Sequence, residues 1–344
     1  MRNLQEIRQD RQVAVWLMTG VVMIMIQVLL GGITRLTESG LSITEWNPIT
    51  GTLPPLSEAA WLTEFEKYRH TDQFRFVHSH FSLSEFKFIF FWEWFHRLWA
   101  RMMGLVFLVG FIYFLYKKKM DKTMVWPMAL LFVLGGLQGT VGWIMVKSGL
   151  VPEMYFVGHV ELTTHFMSAM VLLVYTFWFA LRLWVKEENK IRDHSIQSFL
   201  WVLLLLCFFQ FIYGCFMAGL KAAQSAPTWP RINGQWVPAL SDEKLKVHFI
   251  HRGLGYLIFL VNVVLFFRSA HLSPHRLLAK MRYTLAGLIT IQVILGIATL
   301  WFATNNGAFV VLGVLHQFNA MLVLLALVFM LYLVRGTKGH ASPA

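Results

Sequence analysis

Apolar residues run along this chain in eight long blocks, at positions 13–32, 92–116, 124–146, 157–181, 197–220, 247–267, 283–303 and 309–334. At 1.5 Å of rise per residue, each block can carry a helix across about 30 Å of hydrocarbon. A membrane barrel would instead show roughly ten-residue segments of alternating polarity, and these blocks do not alternate. The expected fold is an all-α membrane protein with eight transmembrane helices.

The polar text between the blocks sets the orientation. With the N-terminus in the cytoplasm, the inner segments hold 17 basic residues in 59 positions and the outer ones 9 in 95. The excess of Lys and Arg marks the cytoplasmic side, so both termini are expected there. Composition agrees: 57% of the residues are hydrophobic and 14% charged, against about 25% charged in a soluble domain. The net charge of +12 then belongs to cytoplasmic loops. No aromatic-basic face suggests a nucleic-acid partner. Cys207 and Cys215 lie eight residues apart in one apolar block, about 12 Å along a helix and too far for a disulfide. The polar start, 1–12, precedes an apolar run with no small-residue cleavage site, which reads as a retained first helix.

Polar landmarks recur in order. The odd-numbered spans each carry Gln-x-x-x-Gly: Gln27/Gly31, Gln138/Gly142, Gln210/Gly214 and Gln292/Gly296. The second and sixth share His96-Arg97 and His251-Arg252, and the fourth and eighth carry His165 and His316. The offsets between halves are 183, 155, 154 and 151 residues. Near-constant spacing predicts two tandem pseudo-symmetric four-helix bundles, 1–188 and 189–344. The loop at 33–86 is 28 residues longer than its counterpart and carries seven acidic residues, so only the N-terminal half has an elaborated outer cap.

The four repeated histidines share one depth. Counted to the first cytoplasmic basic residue they stand 21, 17, 17 and 19 residues away, roughly 25–32 Å above the inner edge. Two imidazoles facing each other in a bundle core can hold a metal axially, and a flat apolar macrocycle suits the space between them. Zinc would need three or four ligands per site where each half offers two. Two heme pockets are expected, one per bundle. His70, His78, His80, His194, His271, His275 and His340 read as solvated loop residues. His159 has no twin, its repeat partner being Val310, while His248 pairs with Glu93 at an offset of 155.

Two acidic residues fall inside the spans. Glu93 lies three residues before His96, hence on the same helix face. It reads either as an interfacial partner of Arg97 or as a carboxylate placed beside one heme, able to handle protons or a developing cation. Glu161 reads as structural. Arg35, Arg97, Arg101 and Arg252 are candidates for heme propionates or for snorkelling to the outer interface. Gly135, Gly136, Gly139 and Gly142 read as a close helix-packing run.

The stretch Gly31-Gly32-Ile33-Thr34-Arg35-Leu36-Thr37-Glu38-Ser39-Gly40-Leu41-Ser42, the following Glu45-Trp46-Asn47-Pro48 and Gly51-Thr52-Leu53-Pro54-Pro55-Leu56, and Glu93-x-x-His96-Arg97 resemble the heme A synthase family. His165, His251-Arg252 and His316-Gln317 extend the resemblance over all eight spans. It implies an inner-membrane oxidoreductase that converts the C8 methyl of heme O to a formyl through successive hydroxylations, giving heme A for terminal oxidases. It places substrate heme at His96 and His165, a permanent heme b at His251 and His316, and the essential carboxylate at Glu93. The class without a cysteine pair in the extracytoplasmic loops fits this chain. Implied partners are heme O, heme O synthase, cytochrome oxidase assembly factors, an unidentified electron acceptor and the bilayer, with a homo-oligomer left open. The competing readings are a di-heme cytochrome b passing electrons and, more distantly, a transporter. Only the heme-modifying enzyme accounts for Glu93 standing opposite His248.

Overall fold

The computed structural model describes residues 4–47 and 50–336, so Pro48 and His340 lie outside the described residues. The chain runs through α1 (Leu4–Leu36), α2 (Glu58–Arg69), α3 (Asp72–Phe76), α4 (Leu83–Tyr116), α5 (Lys122–Ser148) and α6 (His159–Trp184). It continues through α7 (His194–Gly219), α8 (Ala222–Ser225), α9 (Glu243–Arg268), α10 (Arg276–Trp301) and α11 (Asn306–Leu333). Among the described residues there is no strand, and eight helices are long and apolar enough to cross a membrane.

The helix starts are chemically marked. Asp121, Asp193, Asp242 and Asn305 open α5, α7, α9 and α11 by accepting a backbone N–H of the first turn, and Ser82 with Glu85 forms a capping box on α4. These caps satisfy donors that a helix otherwise leaves without partners.

The spans pack in two cycles: α1 meets α4, α4 meets α5, α5 meets α6 and α6 returns to α1, while α7, α9, α10 and α11 close in the same way. The cycles touch through α1 and α11, α6 and α7, and α6 and α11. Burial follows this plan. In the apolar windows of α1, α6 and α11, 44%, 39% and 50% of residues are buried, against 6% in α4 and in α5. The inner wall is therefore shared by both cycles, and α4 and α5 face outward. Cys207 and Cys215 are both buried and free. After α6 the connecting segment is clasped to the end of α11, Ile191 N–H donating to Leu333 O at 2.9 Å and Gly336 N–H to Ile191 O at 2.7 Å.

The long outer loop builds a second, smaller core. Tyr68, Phe86, Ile89 and Phe90 are buried against Trp61, Phe65 and Phe74. This explains why α4 begins at Leu83 rather than near 92. Its first turns pack Phe86, Ile89 and Phe90 beneath α2.

Candidate functional site

One continuous cavity of about 900 Å³ reaches His96, His165, His251 and His316. The sequence reading expects two pockets, one per bundle; Gly31, Gly32, Gly214 and Gly313, on helices where the cycles meet, line this one space.

Each ring is seated by the preceding span. Gln27 Nε2 lies 3.2 Å from His96 Nδ1, Gln138 Nε2 3.2 Å from His165 Nδ1, Gln210 Nε2 3.4 Å from His251 Nε2 and Gln292 Nε2 3.3 Å from His316 Nδ1. One turn on, the glycine of each Gln-x-x-x-Gly motif passes against the ring. A Cβ would stand 3.2 Å from His96 Cε1 at Gly31, 2.8 Å from His165 Cε1 at Gly142, 3.4 Å from His251 Cε1 at Gly214 and 3.0 Å from His316 Cε1 at Gly296. Two of the amides are themselves fixed: Ser168 Oγ donates to Gln138 Oε1 at 2.5 Å and Asn319 Nδ2 to Gln292 Oε1 at 2.7 Å. Both donors follow their histidine by three residues. Sequence reasoning used the Gln-x-x-x-Gly motif only as a repeat marker and missed this seating role; its coincidence with the histidines in every span pair was the available signal.

These residues fit heme. The space is apolar and flanked by imidazoles, and His251 Nδ1 is buried without a hydrogen-bond partner among the described residues. Gln27 and Gln210 each keep a buried, unpartnered Oε1, an acceptor for the N–H of a histidine whose other nitrogen binds iron.

Glu93 is 2% exposed and stands on the cavity wall beside His96. Its Oε1 accepts from Arg97 Nη2 at 2.6 Å, and its Oε2 from Ser42 Oγ at 2.7 Å and from Ile43 N–H at 2.9 Å. Both features weighed from the sequence are present together, the ion pair to Arg97 and the position beside a histidine. Arg97 also donates to Ile43 O and Glu45 O, each at 3.1 Å. In the other cycle Arg252 Nε donates to His248 Nε2 at 3.2 Å, and Nη2 donates to Ala226 O at 3.4 Å and Thr228 O at 2.6 Å. His248 thus occupies the place of Glu93.

The candidate propionate arginines all line the cavity but carry other bonds. Arg35 donates to Ala218 O and Gly219 O at the end of α7, and Arg101 donates to Asn47 O at 3.0 Å. His159 packs against Phe216 and Gly219 between the cycles, 5.3 Å from the Phe216 ring, and is not part of the cavity wall. The Glu161 carboxylate folds over Gly158 at the start of α6.

His78 corrects the sequence expectation. It is 6% exposed, not solvated, with Nδ1 2.7 Å from Tyr68 OH and Nε2 3.3 Å from Glu38 Oε2. The second core draws it in, and two polar partners make burial tolerable. Glu38 also pairs with Lys221. Burial alone would raise the Glu38 carboxyl, but the hydrogen bonds from His78 and Lys221 outweigh it and hold it down at about 2. A carboxyl depressed in the folded state stabilises above its unfolded value, near 4.5, and the contribution is lost as pH falls through about 2. Glu38→Gln is expected to cost at most about 3 kcal/mol near neutral pH, with the difference from the parent shrinking across that acid window in thermal unfolding. A pH-independent difference would show that the ion pairs do not stabilise the cap.

Comparison with known proteins follows the same residues. The family model described as "Cytochrome oxidase assembly protein", COX15-CtaA, matches residues 14–328. The heme A synthase of Flavobacterium johnsoniae is 36% identical over 94% of this chain and 98% of its own length. That of Flavobacterium psychrophilum is 38% identical over 92% and 96%, and that of Rhodospirillum centenum 38% over 94% and 89%.

Proposed function

The chain belongs to the COX15-CtaA family of cytochrome oxidase assembly proteins, and from that premise we propose that it is a heme A synthase, oxidising the C8 methyl of heme O to a formyl group. It is a multi-pass protein of the bacterial inner membrane. The observation that carries the reading is the unequal furnishing of one cavity: two histidine pairs, with a buried carboxylate beside only one of them.

His96 and His165 hold the substrate heme, and His251 and His316 hold a resident heme b. Heme b, when bound, supplies a path for electrons leaving the substrate. Glu93 acts on the substrate side. A carboxylate accepts about four hydrogen bonds, and Arg97, Ser42 and Ile43 occupy three positions. The remaining lone pair can orient a water, and the fixed charge favours positive charge at the methyl carbon during oxidation. Heme O synthase, oxidase assembly factors and an electron acceptor complete the proposed context.

The tandem arrangement, 1–188 and 189–344, is supported by contacts between residues 183 apart; the cytoplasmic placement of both termini rests on the distribution of Lys and Arg. Arg35 meets Ala218, and Glu38 pairs with Lys221. Both Glu38 and Lys221 have left-handed backbone, with φ of 58° and 52°. Such self-pairing is what a two-fold relation between the halves produces.

A second difference supports the N-terminal half as the substrate half. A Cβ on Gly104, Gly135, Gly136 or Gly139 would meet no atom within 4 Å, and all four line the cavity. Their counterparts by offset are Phe259, Ile289, Thr290 and Val293. Heme O carries a long isoprenoid side chain that heme b lacks, so space is needed in one half and not the other. Gly104→Phe is expected to leave heme b bound and to weaken heme O use by about 5- to 150-fold, the effect of 1–3 kcal/mol of overpacking. Pigment extracted from cells that make heme O, separated by chromatography and weighed by mass spectrometry, reads both outcomes. Undiminished heme A in the variant removes the tail assignment. Heme b alone from the parent chain removes the synthase reading in favour of a cytochrome b.

A further inference from the structure

At the end opposite the histidines, the start of α1, the α4–α5 turn and the ends of α6 and α11 surround a second cavity, of about 670 Å³. Lys118, Lys119, Arg182, Lys190 and Arg335 line it, with Asp10, Asp121 and Glu187 as the acidic residues on the same wall. Five cations face three carboxylates, and the carboxylates are partly spent. Glu187 pairs with Lys190 at 2.6 Å, and Asp121 caps α5 by accepting from Thr123 N–H.

Of the remaining cations, Lys118, Lys119 and Arg335 have neutral partners or none, and Arg182 lies within electrostatic reach of Asp121. Lys119 Nζ donates to Gln12 Oε1 at 2.8 Å and to Tyr113 OH at 3.1 Å, and Arg182 Nη2 to Thr123 Oγ1 at 3.2 Å. Arg335 lies over the Trp178 ring at 5.4 Å, and Lys118 is presented from a left-handed residue, φ 51°. Among the described residues, none of Lys118, Lys119, Arg182 and Arg335 forms a salt bridge. Five cations against three carboxylates leave the cavity with an excess of positive charge, which a bound anion would relieve. Guanidinium and ammonium groups together suit a phosphate ester.

Depth selects the source of that phosphate. Tyr116 at the end of α4 and Trp126 near the start of α5 are each 80% exposed, and exposed Tyr and Trp mark the headgroup layer. The cleft therefore opens at headgroup level, on the side that the basic residues make cytoplasmic. Basic pockets between spans at that surface bind anionic lipid headgroups. We propose that this cleft is a binding site for the phosphate headgroup of an anionic phospholipid.

The full-length protein, delipidated in neutral detergent, is titrated with phosphatidylglycerol or phosphatidylcholine, and bound lipid is counted by native mass spectrometry. Phosphatidylglycerol is expected to be retained and phosphatidylcholine not. Each cation contributes about five- to sixfold to anionic lipid affinity, so Lys118→Gln with Arg182→Gln weakens retention about thirtyfold while heme content stays at the parental level. Arg276→Gln with Lys280→Gln removes the same charge from α10, outside the cleft, and is expected to change little. Three results overturn the proposal: equal retention of both lipids, an equal loss in the α10 variant, or stabilisation by inorganic phosphate alone that matches the lipid's. The last would make the cleft a soluble-phosphate site.

Discussion

Glu93→Gln is expected to leave heme bound while lowering heme A formation by at least about a hundredfold. The substitution keeps the side chain's volume and its ability to accept from Ser42 and Ile43, which hold Oε2 at 2.7 and 2.9 Å. It removes the charge that Arg97 meets at 2.6 Å and that the oxidised carbon would face. Arg97 keeps its bonds to Ile43 O and Glu45 O, so the loop after α1 stays attached. Glu93→Ala is a poorer test, because it leaves a hydroxyl, an N–H and a guanidinium without their acceptor in a buried place. Such changes cost about 3–5 kcal/mol and mix folding with chemistry. Heme content by absorbance and product by mass spectrometry separate the two. Parental heme A output from Glu93→Gln would take the carboxylate out of the reaction.

The second large effect runs along the glycines under the histidine rings. Alanine at Gly142 or Gly296 would place a Cβ 2.8 or 3.0 Å from a ring carbon, too close for the ring to stay where it is. The backbone beneath cannot yield without breaking its helix, so the imidazole must tilt off its axis. Loss of about 1–3 kcal/mol of ligation follows, or about 5- to 150-fold in occupancy. Gly296→Ala is expected to deplete heme b, and Gly142→Ala to deplete substrate heme and product with heme b intact. Gly214→Ala provides the contrast, since at 3.4 Å the added methyl makes ordinary contact with His251. There alanine should be neutral or slightly stabilising, because it favours helix over glycine by about 1 kcal/mol. Equal heme loss at Gly142, Gly296 and Gly214 would mean that helix flexibility, not ring seating, requires these glycines.

Much of the site was legible in the chain because depth in a bilayer is nearly a function of position along a helix. Counting residues to the lysines and arginines at the far end of each span predicted one layer for the four histidines, and one cavity reaches all four. Glu93 stood out because its offset partner is His248, and the two sit in equivalent arginine environments. The open space at Gly104 was less visible. The glycines of α5 read as a packing run; Gly142 does pack, against His165, whereas Gly135, Gly136 and Gly139 border open space. His78 was misjudged because a loop residue's burial depends on what folds over it, here the aromatic core under α2.

By itself the sequence determined the eight spans and which half carries the carboxylate, because hydrophobic length measures the distance across a bilayer and residue order assigns each group to its half. The tertiary structure alone decided the rotation of each helix and its neighbours. It seated each imidazole on a glutamine and a glycine of another helix, and it paired Glu38 with Lys221 across 183 residues of chain. Rotation and partner choice follow from side-chain packing between helices, which no one-dimensional periodicity encodes.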